Sequence, residues 1–409
     1  MLRSAIVAFF LAMTALPALA QSNLDDQFRN WLENDVWPQA KSAGISRGTF
    51  QGAFKDVQPN PKLPDIILPG AKPETPKAQH QAEFNAPSRY FAEKTVGAVS
   101  AGGRSRAKRL GKLLASIEKR YGVPAGIVLA IWGRESGFGA AKMPYDAFEV
   151  LGTKAWLARR KDMFRAELIA ALQLVEKGVA SRQAMRSSWA GALGQPQFLP
   201  TSVHKHGVDF DRDGKIDIWK SEPDTLASIA KYLADYGWEA GREWGYEVRL
   251  PQDLSCALEG PDQGRKISDW ISLGVSRVSA KPFPDKELAK EGFLLMPAGR
   301  NGPAFIVSRN FYVLKEYNES DLYALFIGHA ADRIAGSDKS FSGKWGKVDT
   351  LYRSDIAQMQ RNLEAQGYDV GGADGLPGFK TRRSIGKWQE KQGMAATCFP
   401  SAELVKRLR

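Results

Sequence analysis

Residues 131–139 read "IWGRESGFG" and set one carboxylate, Glu135, inside what otherwise reads as the buried end of a helix. The spacing predicts a helix over 125–136 that stops at Gly137, with Trp132 and Ile131, three and four residues back, on the same face as Glu135. An acid beside an indole, in apolar surroundings and at the negative end of a helix dipole, is pushed toward its protonated form. Such a group can donate a proton near neutral pH, which makes Glu135 the candidate catalytic acid. The competing reading, an ion pair with Arg134, meets the difficulty that helix neighbours do not face each other.

Working outward, "SRAKRLGKLLASIEKRY" (105–121) spaces Leu110, Leu113, Leu114, Ile117 and Tyr121 by threes and fours, the pattern of an amphipathic helix ended by Gly122 and Pro124. Further helices are expected over 164–177, 224–236 and 321–335, and strands near "FLLMP" and "PAFIVS" between 293 and 308. The main domain is therefore expected to be mainly α with a minor β element. Residues 58–87 hold seven prolines without a helical period and read as an extended segment. Residues 336–349, "GSDKSFSGKWGKVD", read as a spacer. Beyond it Ile356, Met359 and Leu363 form one stripe, and Ile385 and Trp388 mark a second helix of a small module.

The chain has 409 residues, 43% of them hydrophobic, enough for one large domain and a small one. Its first residues, "MLRSAIVAFFLAMTALPALAQ", have a basic start, a short apolar stretch and an Ala-Leu-Ala end, the plan of a cleaved secretory leader over 1–20. The apolar stretch is too short for a membrane anchor, and no Cys follows for lipid attachment. In an exported protein a net charge of +12 suggests an acidic wall polymer rather than nucleic acid as partner. Cys256 and Cys398 are the two cysteines, either bridged or free. The four histidines, His80, His204, His206 and His329, form no zinc motif.

Two further stretches carry chemistry. "SSWAGALGQPQFLPTS" (187–202) combines the small residues Gly191, Ala192 and Gly194 with the amide of Gln197 and the ring of Phe198. Amides and rings together suit an N-acetylated sugar, and close packing alone would explain the glycines but not Gln197. "VDFDRDGKIDIW" (208–219) places Asp209, Asp211, Asp213 and the Gly214 turn as at the start of an EF-hand loop for Ca²⁺, yet its twelfth position is Lys220 where a Glu is needed. An acidic turn capping the helix near Asp224 is the other reading of that stretch.

Taken in order, "YGVP…IWGRESGFG", "GALGQPQFLPTS", "VDFDRDGKIDIW", "LASIAKYL" and "YNESDLYAL" resemble the MltB-type lytic murein transglycosylases, over about residues 24–335. The resemblance implies a lysozyme-like α+β catalytic core over 21–337, with Glu135 as the single acid/base. It implies that Ser188, Gln197, Tyr232, Tyr317, Asn318 and Tyr323 line a glycan groove, and that the loop takes structural Ca²⁺ through Asp209, Asp211, Asp213, the Lys215 carbonyl and a later carboxylate, Asp224 or else Glu222. The "SGFG" after the acid departs from the family's wording. Residues 349–409, after a linker at 338–348, resemble the small three-helix peptidoglycan-binding domain, although "AATCF" replaces its usual closing turn. The expected protein is a soluble, monomeric periplasmic enzyme acting on peptidoglycan strands. It needs no organic cofactor and stands within reach of a wall-synthesis complex. A silent wall-binding scaffold is the alternative.

Overall fold

Helices form where the apolar spacing predicts them: Ala125–Ser136, Lys161–Glu176, Glu222–Asp235 and Asp321–Ile334. These come from a computed structural model that describes residues 24–71, 82–337 and 340–408; the expected leader over 1–20 lies outside the described residues. One expectation is corrected. The helix read over 105–121 is two helices, Glu93–Arg109 and Gly111–Tyr121, separated at Leu110, whose φ of −103° and ψ of 14° leave the helical region. Gly111, which gains least from a helix, follows the break.

Contacts divide the chain into two compact units, each assembled from two separated stretches: 1–73 with 135–229, and 74–134 with 230–409. In the first, Phe50, Phe54 and Phe148 pack in sequence, tilted and then edge-to-face, with ring centroids 5.0 and 5.7 Å apart. A β-carbon added at Gly152 would come within 3.0 Å of the Phe28 ring, so that helix lies close against its neighbour. A two-residue ladder joins β1 (Tyr145–Asp146) to β2 (Arg186–Ser187). The Asp146 carboxylate caps the following helix by accepting from Phe148 and Glu149 amides.

The second unit holds a five-stranded antiparallel sheet, more β structure than expected. Its strands are β3 (Gly245–Arg249), β4 (Arg265–Lys266), β5 (Ser276–Arg277), β6 (Glu291–Leu295) and β8 (Ala304–Val307), in the order β4-β6-β8-β3-β5, with β7 (Pro297–Arg300) beside β8. The sheet covers a core of Tyr246, Val248, Ile267, Trp270, Leu294 and Ile306. The indole of Trp270 donates to the Gly292 carbonyl at 2.9 Å, so that ring is buried without a stranded polar atom.

The C-terminal helices, Arg353–Ala365, Phe379–Lys391 and Ala402–Arg407, enclose their own core of Ile356, Met359, Leu363, Ile385, Trp388 and Leu404. They cluster with the sheet rather than as a separate unit. Cys398 pairs with Cys256 across 142 residues, which closes the question the sequence left open. The segment expected as a linker is also held down: Trp345 stacks on Phe91 at 5.2 Å and 13°, and the amides of Ser342 and Gly343 donate to the Glu247 carboxylate. Aromatic and hydrogen-bonded contacts of this kind remove the freedom a Gly-Ser-Lys composition suggests.

Candidate active site

Glu135 is half-buried in the last turn of its helix, and Ile131 and Trp132 are fully buried one turn back. The Arg134 guanidinium lies over the rings of Tyr90 and Phe326, at 5.0 and 4.8 Å. Three successive residues with positive φ follow the acid: Gly137 at 57°, Phe138 at 63° and Gly139 at 83°. For Phe138 this is a costly conformation, of order 1–3 kcal/mol, held by its surroundings. The loop is tied back by Gly139 donating to Ser136 Oγ at 3.0 Å and Ala141 donating to the Ser136 carbonyl at 2.8 Å.

Gly139 has a second reason to be glycine, because a β-carbon there would fall 2.4 Å from Gln195 Oε1. Gln195 donates in turn from its backbone to the Ile218 carbonyl (2.9 Å) and from Nε2 to the Trp219 carbonyl (3.0 Å). The loop after the acid, the "GALGQPQF" segment and the end of the acidic loop are thus packed in series. Gln195 escaped the sequence reading because an amide that holds two loops together looks the same in sequence as one that holds a ligand.

Within 187–202 the structure sorts the candidates. The glycines serve packing: a β-carbon at Gly191 would meet Leu151 at 2.4 Å, and one at Gly194 would meet the Ile218 carbonyl at 2.8 Å. Phe198 is 2% exposed, exchanges backbone hydrogen bonds with Leu193 and sets its ring edge-on to His206. Its ring is therefore core, and the expectation that it presents a face to a sugar is corrected. Ser188 is half-buried, and its Oγ accepts from the Ala190 and Ala192 amides. Gln197, held at a positive φ of 55°, donates Nε2 to the Gly194 carbonyl (2.8 Å) and lies beside Met143 Sδ (3.1 Å). Trp189, passed over in the sequence, is 47% exposed under the Lys154 ammonium, and is the open aromatic surface of this stretch.

The other carboxylates around "MPYDAFEV" are committed to structure. Asp146 caps its helix and pairs with Arg182 at 2.8 Å; Glu149 accepts from Asn60 Nδ2 at 2.7 Å. In the acidic loop, Asp209, Asp211 and Asp213 bring carboxylate oxygens within 4.8 Å of one another. Asp224 behaves differently from expectation. It is 1% exposed, and its two oxygens accept from the amides of Phe210 (2.8 Å), Asp211 (3.5 Å) and Asp217 (2.8 Å). Burial raises its pKa against those hydrogen bonds. Asp224 organises the loop from inside, and Ser221 Oγ accepts from its amide at the start of the helix where Glu222 also stands. Lys215 donates its amide to Asp213 Oδ1.

The second unit carries the tyrosines. Tyr236, Tyr232, Tyr317 and Tyr323 form a continuous row with successive centroids 4.7, 4.8 and 6.3 Å apart, the last pair stacked at 12°. The two ends differ in exposure: Tyr323 is buried (1%) and Tyr236 open (42%), with Tyr232 buried between Tyr236 and the half-buried Tyr317. Tyr232 donates its hydroxyl to the Glu316 carbonyl at 2.7 Å, and burial raises its pKa well above the ordinary value, so it stays a neutral donor. Asn318 is exposed at the end of the Arg309–Asn318 helix.

The chain is similar to known proteins in sequence and fold. Residues 27–332 match the family model described as "Transglycosylase SLT domain", and residues 352–408 match "Putative peptidoglycan binding domain". The solved structure of SltB3 from Pseudomonas aeruginosa in complex with NAG-anhNAM-pentapeptide is 36% identical with a TM-score of 0.84, covering 93% of this chain and 99% of that one. Membrane-bound lytic murein transglycosylase B of Escherichia coli (strain K12) is 26% identical over 220 residues, which are 53% of this chain and 58% of that relative, so the match spans less than two thirds of its length. The Escherichia coli lytic transglycosylase Slt35 in complex with calcium shares the fold at 22% identity, with a TM-score of 0.60, covering 76% of this chain and 92% of that one. A helix-end glutamate, an amide-bearing loop packed behind it and a row of tyrosines thus sit on a chain matched from 27 to 332 by one family model, and the chain belongs to the lytic transglycosylases and carries a C-terminal peptidoglycan-binding domain.

Proposed function

We propose that this chain cleaves the β-1,4 bond between N-acetylmuramic acid and N-acetylglucosamine in peptidoglycan without consuming water, with Glu135 as its single acid and base. The observation that carries this reading is the commitment of the neighbouring carboxylates, Asp146 to a helix cap and an ion pair and Glu149 to Asn60. Ordinary glycosidases need a second carboxylate as nucleophile or base. With one acid the sugar supplies its own nucleophile. Glu135 protonates the departing glycosidic oxygen while the muramic acetamido oxygen closes on C1. The Glu135 carboxylate then takes the C6 hydroxyl proton as that oxygen displaces the acetamido group, ending in a 1,6-anhydro ring. The relative SltB3 was solved with an anhydro-muramic fragment, in keeping with this outcome.

Mass spectrometry of a digest of purified murein is expected to show muropeptides lighter by one water than lysozyme products, without new reducing ends. Predominantly reducing muramic ends would overturn the reading. Binding of murein through the C-terminal domain belongs to the same proposal, as does action outside the cytoplasmic membrane. A buried disulfide fits an oxidising compartment, and among the described residues no helix is long and apolar enough to cross a membrane.

The acidic loop enters as a structural site. Asp209, Asp211 and Asp213 offer converging oxygens that fit a hard divalent cation, whereas Asp224 is spent on amides. Ca²⁺ held there would brace the Ile218 and Trp219 carbonyls on which Gln195 rests. Calcium at about 100 times its dissociation constant is expected to stabilise the fold by about 2.7 kcal/mol. Scanning calorimetry with calcium and with a chelator tests this, and Asp211→Asn with Asp213→Asn should remove the shift. An unchanged Tm in the wild-type protein would show the loop to be an acidic turn only.

A further inference from the structure

We propose that Arg382, a residue of the C-terminal domain, is a positioning residue for glycan cleavage: it fixes, through Asp321, the corner between two helices that carries Tyr317, Asn318 and Tyr323. The proposal rests on the glycan-cleaving function above.

Arg382 is 1% exposed and spends its guanidinium entirely outside water. Nε and Nη2 donate to both oxygens of Glu259, at 3.0 and 2.6 Å, and Nη1 donates to the Pro377 carbonyl. Nη2 also donates to Asp321 Oδ2 at 2.9 Å, while Lys315 Nζ holds the other Asp321 oxygen at 2.7 Å. Glu259 is completed by the Met296 amide at 2.9 Å, which anchors it to the sheet. Arg382, Lys315, Glu259 and Asp321 therefore form one connected ion cluster joining the domain's Phe379–Lys391 helix, the sheet and the start of the Asp321–Ile334 helix, and the Glu83 carboxylate lies beside it, accepting from Ser320 Oγ and the Leu322 amide.

The place where the cluster ends gives it a role beyond stability. Asp321 follows the two-residue corner Glu319–Ser320, and Glu319 sits at a positive φ of 38°, strained for a residue with a side chain. On one side of this corner stand Tyr317 and Asn318, on the other Tyr323, all three in the candidate glycan groove, and Tyr317 stacks on Tyr323 across it. A strained corner keeps its shape only where its surroundings over-determine it. Asp321 bridges both flanks, to Lys315 on the preceding helix and to Arg382 from the C-terminal domain. Burial alone would raise the Asp321 pKa, but Lys315 and Arg382 hold it down at about 2, so the bridge stays charged at working pH. The domain is thereby built into the groove and is more than a tethered wall anchor.

The test uses the full chain in a Glu135→Gln background, so that glycan affinity is read without turnover. The probe is a GlcNAc–MurNAc tetrasaccharide titrated by calorimetry. Arg382→Met is expected to weaken binding by at least about tenfold, within what a small misplacement of positioned groups produces. Arg382→Lys, which keeps a charge near Asp321, should recover most of it. Asp321→Asn added to Arg382→Met should cost little more, since the two act through one contact. The double variant Cys256→Ala/Cys398→Ala loosens the same junction without touching Asp321, and should lower the Tm while leaving affinity within about twofold. Unchanged affinity in a folded Arg382→Met protein overturns the proposal. So does equal weakening in the cysteine variant without rescue by Lys, which marks a general loosening, and so does an absence of binding in every variant. If the parent enzyme cleaves no murein but affinity follows the expected pattern, the cleavage reading fails while the positioning role stands.

Discussion

Glu135→Gln is expected to lower murein clearing by at least about 100-fold, the lower range for general acid–base catalysis, with the fold intact. The amide keeps the shape of the side chain at the helix end and removes the proton that the leaving oxygen needs. A factor of about 100 corresponds to about 2.7 kcal/mol of barrier, and the loss should fall on kcat rather than on KM because the glycan contacts remain. Turbidity of a murein suspension, read beside a melting curve, checks the result. Retention of most activity in a folded variant would remove Glu135 from its role. Asp146 would then be the next acid to replace, although its cap and its Arg182 ion pair argue that its loss shows in stability before activity.

Replacing Cys256 and Cys398 together by Ala is expected to cost up to about 5 kcal/mol of stability, on a chain-entropy estimate for a closed loop of 142 residues. The bond also lies in the sheet's core, where a β-carbon on Gly386 would come within 2.2 Å of Cys398 Sγ, so little room exists for the two strands of chain to drift apart without losing packing. Urea unfolding of the oxidised, reduced and doubly substituted proteins measures the effect. An unchanged midpoint would mean that the ion cluster around Arg382 and the Arg383–Asp262 pair hold the domain without the bond.

Much of this was legible before any coordinates. Helices such as Ala125–Ser136 announce themselves because a period of 3.6 and a terminal glycine are local properties of the chain. Two neighbouring strands of the sheet, near 293 and 304, were legible because their apolar runs are local too, whereas the equally long Gly245–Arg249 was not read. What escaped depends on partners distant in sequence. Gly191 and Gly194 suggest room for a ligand, and only the fold shows Leu151 and Ile218 filling it. Phe198 and Trp189 look equally able to meet a sugar; burial separates them, since Phe198 pairs with Leu193 while Trp189 stands clear of its loop. Asp224 reads as a cation ligand because carboxylates recur at the right intervals, yet its distance from water is set by where residues 210 to 217 turn back on it. Arg382 carried no signal at all, because an arginine among "KTRRS" reads as solvated charge until Glu259 and Asp321 are found beside it.

The interleaving of the two units bears on how the molecule comes into being. A protein synthesised N-terminus first presents its stretches in order, and domains generally fold as they are completed. Here residues 1–73 must wait for 135–229, and residues 74–134 must wait for 230–409. A nascent chain paused at residue 134 therefore holds the opening stretch of both units and the whole of neither, and its unsatisfied apolar faces, Phe28 and Phe54 from one and Trp132 from the other, make that interval the one in which holding chaperones matter most.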